Sequence, residues 1–121
     1  MVWRCILLVS MALPVAPLAA RDARDTDSGY FEGRWSFIDE DCTAPTNWTL
    51  IAGGNFVSED LVGIWTWQEG ELVLNLDDLA IDEESGEPGG RFRMDGPVTL
   101  VDQNRFDFTI APDVYQLKRC P

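Results

Sequence analysis

The chain of 121 residues has no histidine. That removes the imidazole of Ser-His-Asp and Cys-His nucleophiles, the imidazole metal ligand, and the side chain that titrates near neutral pH. Lysine is almost absent as well. The single lysine, Lys118, stands beside Arg119 and Cys120 near the chain end, which argues against a buried amine of low pKa. Basic residues are scarce altogether: nine Lys and Arg face 21 Asp and Glu, for a net charge of −12. Such a surface cannot displace the counterions of a phosphate backbone, so nucleic acid is not an expected partner. An anionic membrane surface is disfavoured for the same reason. Neither a phosphate-binding P-loop nor a dinucleotide fingerprint occurs, and no segment sustains a helical period.

Cysteine is used sparingly, with Cys5, Cys42 and Cys120 only. Cys5 lies in residues 1–20, where Arg4 precedes a run over residues 5–13 that is apolar except for Ser10, followed by Pro14, Pro17, Leu18, Ala19 and Ala20. This is the charge, apolar and small-residue layout of a secretory signal peptide, with cleavage expected after Ala20. The apolar core is about half of the ~20 residues a bilayer helix needs, so no membrane span is expected after cleavage. Loss of residues 1–20 removes one basic residue and no acidic one. In an exported domain the two remaining cysteines, Cys42 and Cys120, read as one disulfide. By loop-closure entropy it would stabilise the fold by about 4 kcal/mol as an upper figure. Zinc would need more nitrogen and sulfur ligands than two cysteines provide.

What the chain does have is strand periodicity. In residues 63–76, GIWTWQEGELVLNL, two alternating runs flank Glu69-Gly70. A two-residue primed turn there, with Gly70 at positive φ, pairs Gln68 with Glu71, Trp67 with Leu72, Trp65 with Leu74 and Gly63 with Leu76. That register puts Trp65 and Trp67 in the core, and a slip of one residue would expose both.

Further runs frame this hairpin. Residues 21–29 are charged and lack large apolar side chains, and read as a disordered polar leader ahead of a single β domain over residues 30–121. Phe31, Gly33, Trp35 and Phe37 alternate as a first strand, and the loop after it carries Cys42. Short strands then follow around Trp48, Phe56 and Leu61. Leu79-Ala80-Ile81 is either a short continuation or one helical turn, and residues 82–90, DEESGEPGG, form the longest loop signal. Residues 91–95 and 98–101 read as two strands divided by Asp95-Gly96-Pro97. Residues 106–110 and 114–120 complete the chain. Eight or nine short strands imply an all-β fold, a small antiparallel up-and-down barrel, with a β-sandwich as the alternative.

The chemistry left is that of carboxylates, grouped at Asp39-Glu40-Asp41, Glu59-Asp60, Asp77-Asp78 and Asp82-Glu83-Glu84. Two could serve a glycan hydrolase, but acidic residues in turns are ordinarily solvated. Calcium could use residues 77–87, although no stretch matches the alternating ligand loop. Asn47-Trp48-Thr49 is a formal glycosylation acceptor.

Gly33-Arg34-Trp35 opening the first strand, with Arg119 facing inward from the last, resembles the calycin pattern of lipocalins, avidin-like proteins and small bacterial metalloprotease inhibitors. In those barrels a Gly-x-Trp opens strand one and a basic residue of the last strand packs across the Trp. The resemblance implies structural roles for Trp35 and Arg119; the length suits the short inhibitor branch, whose disulfide closes a shorter loop than Cys42 to Cys120. The expected protein is an exported, monomeric, non-enzymatic binding module without catalytic residues, metal or cofactor, acting on a protein partner or as an inhibitor of an exported protein. A structural envelope protein without a discrete site and a small-ligand carrier are the alternatives, the latter requiring a lumen that Trp35, Trp65 and Trp67 do not fill.

Overall fold

A computed structural model describes residues 23–121. Eight strands, β1 Gly33–Phe37, β2 Trp48–Ile51, β3 Asn55–Ser58, β4 Leu61–Gln68, β5 Glu71–Ile81, β6 Pro88–Asp102, β7 Arg105–Ile110 and β8 Asp113–Arg119, follow one another in chain order. Each pairs antiparallel with its sequence neighbour, and β1 pairs with β8 to close the barrel. This is an up-and-down barrel with no free sheet edge.

The central hairpin adopts the register its periodicity dictates: Gln68 opposes Glu71, Trp67 opposes Leu72, Trp65 opposes Leu74 and Gly63 opposes Leu76. Glu69 and Gly70 have φ of 52° and 83°, the positive pair of a primed turn whose twist matches the flanking strands. Trp65 is buried and Trp67 partly so, with Leu72, Leu74 and Leu76 buried opposite them.

Two local readings of the sequence need correction. Phe31 does not begin the first strand. It ends a 3-10 turn, Ser28–Phe31, in which the Asp27 side chain accepts from the Gly29 amide, and the strand starts at Gly33, whose φ of 125° redirects the chain into the barrel wall. Asp95-Gly96-Pro97 does not separate two strands either. The single 15-residue β6 runs through it, because pairing with β5 continues across it, Gly96 opposite Leu72 and Pro97 opposite Glu71, and a Cβ at Gly96 would lie 1.9 Å from the Thr109 carbonyl oxygen. The glycine marks a close crossing of backbone at a bend in the wall rather than a turn. Leu79-Ala80-Ile81 continues β5, which bulges against β6 between Asp78 and Ile81.

The described part of the polar leader is also ordered. Ala23–Asp25 forms a 3-10 turn, Ala23 is buried against the core, and the Trp67 indole N–H donates to the Thr26 carbonyl at 2.8 Å. Composition signalled disorder, but a tryptophan on the hairpin supplies the donor that holds the segment down. The signal expected over residues 1–20 lies outside the described residues.

Cys42 and Cys120 form a disulfide with Cα atoms 5.7 Å apart. Cys120 follows β8 and donates its amide to the Arg34 carbonyl of β1 at 2.8 Å. The bond therefore ties the loop of residues 38–47 to the β1–β8 seam. Under that loop Ser36, on the outward parity of β1, is fully buried and donates to the Asp41 carbonyl at 3.1 Å.

Candidate functional site

The two ends of the barrel differ. One end is shut by the 3-10 turn Ser28–Phe31. Phe31 is fully buried, its ring 4.5 Å from that of Trp67 and 5.2 Å from that of Phe106, and its carbonyl accepts the Trp35 indole N–H at 2.8 Å. Arg119 locks the closure. Its guanidinium lies 4.3 Å above the Trp35 ring and donates to the carbonyls of Tyr30 (2.8 Å), Glu32 (3.2 Å) and Gln103 (3.0 Å). The Tyr30 hydroxyl donates to the Asp102 and Arg105 carbonyls across the β6–β7 turn. Burial pushes that phenol up to about 12 against the opposing pull of Arg119.

The far end is open. A cavity of about 470 Å³ enters the lumen there, lined by Phe37, Trp48, Leu61, Phe92, Met94 and Tyr115, with Glu59, Asp60 and Asp78 also on its walls. The hollow falls within the usual size of a small-molecule site. Phe37 of β1, Trp48 of β2 and Tyr115 of β8 form a continuous aromatic wall, with centroid separations of 5.6 Å for Phe37–Trp48, 6.3 Å for Phe37–Tyr115 and 6.4 Å for Trp48–Tyr115. Phe56 and Phe108, both buried, stand behind Trp48 at 5.6 and 6.1 Å, so the wall is backed by packed core.

The acidic residues come from the β3–β4 turn and from β5, which meet at this end. Glu59 and Asp60 occupy the β3–β4 turn, with Glu59 at φ 50°. Asp78 ends the part of β5 that pairs with β4, and its carboxylate accepts from the Ala80 amide at 3.0 Å. The Leu79 amide donates to the Asp60 carbonyl at 2.8 Å, joining the two segments. Arg91 and Arg93 belong elsewhere: they line a hollow of about 600 Å³ on the outer wall of β4, β5 and β6. There they pair with Asp77 at 3.0 Å and with Asp95 at 3.1 Å. That hollow lies on a solvated, charge-paired face, whereas the mouth presents aromatic rings, so the mouth is the better candidate.

The residues singled out by sequence are distributed between the two ends. Trp35, Trp65, Trp67 and Arg119 all stand in the packed and closed half. Filling of the lumen by the three tryptophans is thus confined to that half. Sequence patterning does not single out the aromatic mouth, although Phe37 alternates with Trp35 along the first strand. Residues 77–87 do not assemble as a cation loop: Asp77 pairs with Arg91, and among the described residues no three Cys, Asp or Glu side chains converge. Asn47 is buried, with its amide nitrogen donating to the Cys42 carbonyl at 2.7 Å, so the folded chain does not present it as a glycosylation acceptor.

The fold and this mouth define the class: a closed eight-stranded antiparallel barrel, plugged at one end and cup-like at the other. Comparison with protein-family models, with curated proteins and with solved structures finds no match to this chain.

Proposed function

We propose that the protein is an exported, non-enzymatic binding module whose site is the open mouth of the barrel. The observation that carries this reading is the cavity of about 470 Å³ walled by Phe37, Trp48 and Tyr115. Trp48 is buried, with Phe37 and Tyr115 packed on it and only partly exposed, so the concavity is bounded by packed aromatic core, and an apolar concavity of this size is the default place for a small ligand. The packing of Arg119 over Trp35 supports kinship with calycin-type barrels. The disulfide suits an oxidising compartment, in keeping with export. Isothermal titration of the mature protein with 1-octanol tests the reading, with Phe92→Arg as the blocked control. Saturable binding that Phe92→Arg removes supports it; no binding, or binding indifferent to that substitution, contradicts it.

A second reading, a protein partner or an inhibited hydrolase, is favoured by the β5–β6 hairpin. Past Asp78, β5 loses its pairing with β4, and Leu79 and Ile81 are 53% and 62% exposed. Co-purification of one exported protein with the mature domain, lost in Leu79→Ser/Ile81→Ser, would support it; capture unaffected by that change would contradict it.

A further inference from the structure

The residues of the mouth carry charge of one sign only. Glu59, Asp60 and Asp78 share its walls with the aromatic rings, and among the described residues no Lys or Arg lines it. The basic side chains nearest in sequence, Arg91 and Arg93, are held on the outer wall by Asp77 and Asp95. A neutral apolar guest makes no use of these carboxylates, and an anionic guest would be repelled by them. A guest with an apolar body and a positive charge meets both features at once: the aromatic wall takes the apolar body, and the nearby carboxylates attract the charge by Coulomb interaction.

Building on the assignment of the mouth as the binding site, we infer that its ligand is a cation with an apolar body, an alkyl or aryl ammonium compound. The apolar part enters between Phe37, Trp48 and Tyr115, and the ammonium stays at the rim near Asp60 and Asp78. The Asp78 carboxylate is already oriented by the Ala80 amide. Asn at this position keeps a carbonyl acceptor for that amide while losing the charge.

The test compares octyltrimethylammonium, 1-octanol and octyl sulfate below their micellar concentrations, by isothermal titration at low salt. The proteins are the mature chain, Asp60→Asn/Asp78→Asn, and Phe92→Arg. Octyltrimethylammonium is expected to bind about fivefold more tightly than 1-octanol, the scale of two screened carboxylates acting on one charge, and octyl sulfate more weakly than either. In Asp60→Asn/Asp78→Asn the cation should fall to within about twofold of 1-octanol, whose own affinity stays unchanged. Phe92→Arg should abolish binding of the cation; its retention would place the cation elsewhere on the acidic surface and overturn the inference. Equal affinity for 1-octanol and the cation in the mature chain overturns the inference while leaving the mouth as a site. Failure of all three compounds to bind overturns both. Thermal melts of each variant show whether it is folded, and a double variant that unfolds is replaced by Asp60→Asn alone, with the same direction expected.

Discussion

The guanidinium of Arg119 sits 4.3 Å above the Trp35 ring and donates to three backbone carbonyls, those of Tyr30, Glu32 and Gln103. Strand pairing makes this contact direct, since Trp35 and Arg119 are opposite one another across the β1–β8 seam. One side chain thereby joins the first strand, the last strand, the plug and the β6–β7 turn.

Substituting Arg119 by Lys keeps the charge but loses the planar fork that reaches several acceptors and stacks on an aromatic face. Arg119→Lys is expected to lower unfolding free energy by about 1–2 kcal/mol, and Arg119→Ala by about 2–3 kcal/mol. Urea denaturation of the purified domain checks both. An Arg119→Lys protein as stable as the parent would mean that the fork geometry contributes nothing.

Gly96 should tolerate no side chain. With a Cβ placed 1.9 Å from the Thr109 carbonyl oxygen, the backbone of β6 or β7 must move, since neither atom belongs to a flexible side chain. Gly96→Ala is expected to cost about 3 kcal/mol, in the range of overpacking and lost strand pairing. The midpoint of thermal unfolding reads it directly.

This residue also shows where sequence reasoning reached its limit. The strand positions around Trp65 and Trp67 were legible because alternation and a two-residue turn signal agree on one register, and the resemblance to calycins implied that Arg119 would pack across Trp35. Asp95-Gly96-Pro97 carries a strong local turn signal that tertiary structure overrides, because closing the barrel brings the Thr109 carbonyl against that backbone. Likewise the leader is polar by composition, yet Thr26 is held by a tryptophan 41 residues away, a contact no local window contains. The mouth was half legible: its rings alternate correctly along their strands, but which end of the barrel remains open depends on the plug formed by Tyr30 and Phe31.

Tyr30 gives the fold an alkaline limit. Its folded-state value of about 12 lies above the ordinary tyrosine value near 10, mainly through burial. A group raised on folding contributes fully below its unfolded value and loses that contribution as pH climbs through the folded value. Stability should therefore fall between about pH 10 and pH 12. Tyr30→Phe removes the donor to the Asp102 and Arg105 carbonyls, costs about 1 kcal/mol at pH 7, and should flatten this alkaline decline. Denaturation midpoints from pH 7 upward for both proteins provide the comparison.

The Cys42–Cys120 bond closes a loop with a sequence separation of 78. Replacing both cysteines by Ala is expected to destabilise the domain by about 2–5 kcal/mol, a large share of what a domain of this size possesses. Mass spectrometry of a purified chain of residues 21–121 under non-reducing conditions should find no free thiol; two free thiols would remove the pin from the seam.

Binding at the open mouth is tested most directly by the indole N–H resonances of Trp48 and Trp35 in a ¹H–¹⁵N spectrum of residues 21–121, followed during titration with octyltrimethylammonium. Trp48 lines the cavity, whereas Trp35 is fully buried beneath Arg119 at the plugged end. The Trp48 resonance should shift progressively to saturation while that of Trp35 stays in place. A Trp48 resonance that does not move while ligand is bound, or shifts of equal size at both indoles, would contradict a binding site in the mouth.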